Sequence, residues 1–80
     1  MMRVLTVLEH LFSEEFGCEA ELVEMAASLD DLNIAPHERQ RMAVLLEEMY
    51  GVEIPPEELK SFAFVEDVVG YVEDRMEEGA

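Results

Sequence analysis

An all-α fold is predicted by three observations. Apolar residues recur at steps of three and four in three separate stretches. No run alternates apolar and polar residues as a half-buried strand does. Glycine and proline fall at the edges of the apolar stretches, where helices stop and start. The expected architecture is a small helical bundle with three main helices, one short helix and a long first loop. Eighty residues allow one small domain, so residues 1–80 are expected to form a single unit.

The first helix is expected over residues 3–16. Val4, Leu5, Leu8, Leu11, Phe12 and Phe16 fall on one face. Gly17 follows, where a helix C-cap sits. Residues 18–33 hold Leu22, Val23, Met25, Leu29 and Leu32 without a sustained period. They read as a long ordered loop, with room for one helical turn. A second helix is expected from Pro36, since proline suits a first turn, where its missing N–H would be unpaired anyway. Met42, Leu45, Leu46 and Met49 supply its apolar stripe and Gly51 ends it. Asn33 is a cap candidate, while Ala35 has no capping oxygen. Pro55 and Pro56 open a short acidic segment, Glu57 to Lys60, expected to form a single helical turn. A last helix is expected over 64–77, with Val65, Val68, Val69, Val72 and Met76 on one face. Gly70 within it costs about 1 kcal/mol relative to alanine. No internal repeat, low-complexity tract or linker interrupts the chain.

The formal charge is −15, from 20 acidic against 5 basic side chains. Such a surface repels nucleic acid, whose binding rests on Lys and Arg neutralising phosphates. It also disfavours anionic membranes. The charge favours a protein partner with a basic patch, and a monomer over self-association. Cys18 is alone, which excludes an intramolecular disulfide and suits a reducing, cytoplasmic setting. No apolar run approaches the ~20 residues of a membrane span. The start, MMRVLTVLEHLF, acquires Glu9 early and lacks a small-residue cleavage site, so it reads as helix and not as a signal peptide.

Several segments share an order and spacing with one known family. Phe16-Gly17 closes the first helix. Ala27-Ser28-Leu29 precedes Asp30-Asp31-Leu32. Leu46-Glu47-Glu48-Met49-Tyr50-Gly51 ends the second helix, and Val52-Glu53-Ile54-Pro55 follows. Val65, Val68, Val69, Tyr71 and Val72 lie on the last helix. Over nearly the whole chain, and without a gap from Leu22 onward, this pattern resembles the acyl carrier proteins. The resemblance implies the carrier fold, a phosphopantetheine arm on a serine at the start of the second helix, and an acidic docking surface on that helix.

The attachment site is where the chain departs. The family's Asp-Ser-Leu is replaced by Ala35, Pro36 and His37, and proline has no hydroxyl for a phosphodiester. The second helix keeps Glu38, Glu47 and Glu48 but also carries Arg39 and Arg41, so those five side chains sum to about −1. The fold carries over; the function does not follow from it, because function lives in the site.

Ser28 is the substitute attachment candidate, since Ser28-Leu29-Asp30 mimics the motif. It lies eight positions before Pro36, and a helix started there would hold Pro36 in its interior at about 3 kcal/mol or more. The plainer reading is a loop serine making local hydrogen bonds. His37 beside Glu38 invites acid–base chemistry, but no pocket motif accompanies it and His10 is distant in sequence. Cys18 has an acidic neighbour, Glu19, which opposes thiolate formation. The pairs Glu57-Glu58, Glu66-Asp67, Glu73-Asp74 and Glu77-Glu78 match no calcium loop and read as solvated helix faces. Met42, Met49 and Met76 read as core filler. Arg39 and Arg41 either pair with acidic neighbours or read an acidic partner.

The expectation is an acidic, non-enzymatic binding module without a phosphopantetheine arm and without a metal. It docks on a protein partner, such as an enzyme that recognises acyl carrier proteins, through Pro36, His37, Glu38, Arg39, Arg41, Glu47 and Glu48. The alternative is a genuine acyl carrier protein of fatty-acid, lipid or polyketide-type biosynthesis, carrying phosphopantetheine on a non-standard serine such as Ser28.

Overall fold

The structure is a computed structural model and describes residues 3–78. Four α-helices follow in order: α1 (Val4–Phe16), α2 (Pro36–Tyr50), α3 (Pro56–Ser61) and α4 (Val65–Glu78). One 3-10 turn, Ala20–Leu22, interrupts the loop between α1 and α2. Among the described residues the only extended pairing is an isolated bridge between Ser28 and Phe64. Met1 and Met2, which open the stretch MMRVLTVLEHLF read as helix, lie outside the described residues.

Helices α1 and α4 each bury one stripe. Val4, Leu8, Leu11 and Phe12 of α1 are buried, as are Val65, Val68, Val69 and Val72 of α4. The two helices pack on each other, and α1 also packs on the 3-10 turn. Burying a side chain of this size contributes about 1.5–3 kcal/mol. Gly17 ends α1 in the left-handed region at φ 69°, and the backbone N–H of Cys18 reaches Phe12 O at 3.1 Å. Gly51 ends α2 in the same way, also at φ 69°. A residue with a Cβ is strained there, which is why glycine stands at both positions.

The first loop is part of the core although it has no period. Val23, Leu29, Leu32 and Ile34 are buried. Its backbone is held by the link between α3 and α4. Leu29 N–H donates to Ala63 O at 2.9 Å, Val65 N–H to Ala27 O at 2.9 Å and Glu66 N–H to Met25 O at 3.0 Å. Asp67 then caps α4, with Oδ2 accepting the N–H groups of Ala63 and Phe64 at 3.0 Å each.

Two expectations about methionine are corrected. Met49 is 51% exposed and Met76 39% exposed, so neither fills the core; of the three, Met42 does. On α2 the buried stripe is Met42, Ala43 and Leu46, with Leu45 half-buried. The stripe turns away before the last turn, where Met49 faces solvent. The cap of α2 also differs. Ala35 occupies the N-cap, and Asn33 adopts the left-handed region at φ 60°. Asn33 serves the turn, which asparagine tolerates, and not the helix end.

Candidate functional site

The start of α2 gathers the residues singled out in the sequence. Ala35 has no side-chain acceptor, so the chain secures the helix from the other side: Glu38 Oε1 accepts the Ala35 N–H at 3.0 Å. This is the returning half of a capping box, satisfying one donor that the helix leaves free. Pro36 takes the first helical position and, with His37, is exposed. Neither side chain is buried in the bundle.

Arg39 is placed otherwise. Its side chain is only 20% exposed and reaches three partners. Nε donates to Ile34 O at 3.3 Å, Nη1 to Phe62 O at 3.4 Å, and Nη2 to Asp30 Oδ1. A guanidinium suits this position because its donors form a fixed planar fork. Arg39 therefore ties the first loop, the approach to α2 and the C-cap of α3 together. Arg41, two residues on, is 61% exposed and makes one ion pair, to Glu15 of α1 at 3.0 Å. Glu47 turns inward, with Oε2 accepting the Ile54 N–H at 2.9 Å. Glu48 is exposed. Of the seven expected docking residues, Pro36, His37, Arg41 and Glu48 face outward. Glu38, Arg39 and Glu47 are half-buried and spend polar groups on the fold.

Between α2 and α3 lies a groove of about 470 Å³. Pro36, Ala43, Val44, Ile54, Pro56 and Leu59 line it, with Arg39 and Glu47 on the α2 side. Sequence reasoning did not single out this groove. Its one local signal was the pair Ala43-Val44, a small buried residue beside an aliphatic one that is 51% exposed.

Ser28 is half-buried in the loop. Its Oγ accepts the N–H of Asp30 at 3.1 Å and of Asp31 at 3.4 Å, closing the local turn expected of it. Its neighbour Leu29 accepts the Ile34 N–H at 3.1 Å, so this turn is folded back against the approach to α2.

Cys18 is half-buried and its Sγ donates to Leu32 O at 3.5 Å. Burial pushes its thiol up, and the Glu38 carboxylate adds to the effect. The acidic influence thus comes from Glu38, brought in by the fold, and not from Glu19 next in sequence. Burial likewise raises the Tyr50 phenol, whose oxygen has no hydrogen-bond partner among the described residues. His10 is exposed on α1. Among the described residues no group of three His, Cys, Asp or Glu side chains is placed to hold a metal ion, and no helix is long and apolar enough to cross a membrane.

Three relatives share this chain's sequence along most of its length. It is 39% identical over 70 residues to the acyl carrier protein of Renibacterium salmoninarum, covering 86% of each chain. It is 35% identical over 72 residues to the acyl carrier protein of Kocuria rhizophila, covering 89% of each. With the meromycolate extension acyl carrier protein of Mycolicibacterium aurum it shares 34% over 76 residues, 94% of this chain and 78% of that one. The fold matches the crystal structure of the acyl carrier protein from Thermotoga maritima with a TM-score of 0.88. That match covers 96% of this chain and 91% of that one at 19% identity. No family model matches the sequence.

Proposed function

The chain belongs to the acyl carrier protein family, and from that membership we propose that it works as an acyl carrier protein of fatty-acid or related lipid synthesis. It docks on the enzymes of that system through the outward face of α2 and the loop before it. It is a carrier and not itself an enzyme. The observation that carries this reading is the carrier bundle itself, held over nearly the full chain together with 39% identity to a named carrier. The name of the mycolate-type relative supports a lipid substrate class.

Carriage needs a hydroxyl, and the family's attachment position here is Pro36. A carrier of this sequence takes its phosphopantetheine elsewhere, and Ser28 is the candidate. Its turn is folded against the approach to α2, and its oxygen, though accepting two N–H groups, keeps its own proton. In the transfer the Ser28 oxygen would attack the β-phosphorus of coenzyme A. Its proton would leave with a base, and 3′,5′-adenosine bisphosphate would depart.

A second reading is favoured by the same site: a carrier scaffold that docks without an arm. Pro36 offers no nucleophile, and Ser28 spends its lone pairs on two backbone N–H groups. One experiment separates the two. The protein, Ser28→Ala and Pro36→Ser are incubated with coenzyme A and a broad-specificity phosphopantetheinyl transferase, and intact mass is measured. Carriage at Ser28 gives one phosphopantetheine on the protein and none on Ser28→Ala. No gain on the protein, with gain on Pro36→Ser, establishes the arm-free scaffold and overturns carriage.

A further inference from the structure

The seam between the first loop and the start of α4 presents apolar side chains inside an acidic frame. Leu29 N–H donates to Ala63 O and Val65 N–H to Ala27 O, so two hydrogen bonds flank the bridged pair Ser28 and Phe64. This is the narrow kind of antiparallel pair, whose side chains stand close together on one face. Leu29 and Val65, next along each segment, are fully buried, so the face with Ser28 and Phe64 points outward. Phe64 is 43% exposed on it. Met25, whose carbonyl accepts the Glu66 N–H at 3.0 Å, continues the seam and is 40% exposed. Glu24, Asp30, Asp31 and Glu66, all exposed, belong to the same two segments.

We propose that this seam is a docking surface for a basic amphipathic segment of a partner protein, apolar on one side and flanked by Lys or Arg. The charge argues for that occupant. No Lys or Arg occurs between Arg3 and Arg39, or between Lys60 and Arg75, the two lengths of chain that form the seam. Arg39, which reaches the loop from α2, is 20% exposed and already engages Asp30. On α2 itself three carboxylates are offset by two arginines. A basic segment is therefore drawn more strongly to the seam than to α2. A second copy of this chain, at −15, and an anionic lipid surface are repelled by the same field. Phe64 and Met25 supply the anchors: the ring gives contact area, and the thioether adapts to what it meets. The surface is separate from the outward face of α2 and does not depend on whether an arm is attached.

The test uses an amphipathic helical peptide built from leucine and lysine, titrated by calorimetry into the full chain. Amide shifts are expected to be largest at Met25, Ser28, Phe64 and Glu66. Phe64→Ala is expected to bind the peptide about tenfold more weakly. Glu24→Lys also weakens binding, and its effect shrinks at high salt. Glu73→Lys makes the same change of charge further along α4 and is expected to weaken binding less. Shifts centred on α2 overturn the proposal. So does parental affinity in Phe64→Ala, and so does equal binding of a peptide whose leucines are replaced by serine, which would leave charge alone at work. Sedimentation of the protein without peptide, and its flotation with phosphatidylglycerol vesicles, check the other occupants. A dimer or a vesicle complex that Phe64→Ala abolishes overturns the proposal in favour of a second copy or a membrane. Should Phe64→Ala lose its helical circular dichroism, Met25→Gln keeps the length of the side chain and makes it polar. Weakening of about threefold there supports the seam, and parental affinity overturns it.

Discussion

The α1–α4 pair and the start of α2 are held by different physics. In the first, buried carbon faces buried carbon: Leu8, Leu11 and Phe12 against a core that includes Val65, Val68 and Val72. In the second, Glu38 and Arg39 satisfy backbone groups that no secondary structure would pair. Apolar contact is large and tolerant of direction. Polar contact is smaller but demands geometry, so it fixes where the loop and α3 stand relative to α2. The first region thus rests on apolar burial, and the second takes its shape from directed polar contacts.

That contrast is broken most forcefully at Phe12, which is fully buried. Phe12→Ala is expected to cost about 3–5 kcal/mol, a large share of the stability of a domain this size. A urea melt at constant temperature measures it. Arg39→Met comes next. It keeps a stem of similar length but leaves the Ile34 and Phe62 carbonyls without their donor, at about 1–3 kcal/mol. If the polar contacts act on shape, amide shifts in that variant concentrate in residues 28–34 and 56–62 and spare α1.

Arg41→Ala sharpens the comparison from the other side. Its ion pair with Glu15 is exposed, so the expected loss is about 0–1 kcal/mol and fades in high salt. A loss as large as that of Arg39→Met would mean the two arginines do the same work.

The smallest effect is on Cys18. Its thiol stands above the ordinary range, first through burial and then through Glu38. The folded value exceeds the unfolded one, so the protonated thiol favours the fold below the ordinary thiol range. That contribution is lost as pH rises through the folded value. Alkylation by iodoacetamide should therefore rise with pH along a curve displaced upward from free cysteine. Glu38→Gln keeps an oxygen for the Ala35 N–H and should shift the curve partway back, leaving the share due to burial. No movement would assign the whole effect to burial.

The helices were legible in the sequence because their signals are local. The apolar faces of α1 and α4 repeat within a few residues, and Gly17, Pro36 and Gly51 mark ends by backbone chemistry alone. Met49 and Met76 misled because three- and four-residue spacing tells which residues share a helix face, not where the neighbouring helix stops covering it. Asn33 misled because the same residue type suits both a cap and a left-handed turn, and only the backbone decides. The role of Arg39 was not legible. Its partner Phe62 lies 23 residues away in the chain, and no spacing rule connects an arginine to a carbonyl at that distance. Sequence reasoning gave Arg39 and Arg41 the same two readings; the fold pairs both with acidic side chains and gives Arg39 two backbone carbonyls besides. The resemblance to acyl carrier proteins was legible from order and spacing, and the relatives bear it out.

The backbone pairing between the first loop and the α3–α4 link also has a consequence in time. Ala27 and Leu29 find their partners at Val65 and Ala63, late in the chain. On a ribosome, the loop emerges long before the residues that complete it. Closing so wide a loop costs entropy before the contact returns anything, so such contacts form slowly. The helices are expected to form early, while the segment carrying Ser28 waits for the chain's last quarter. Quenched-flow amide exchange would show this as joint, late protection of Leu29 and Val65.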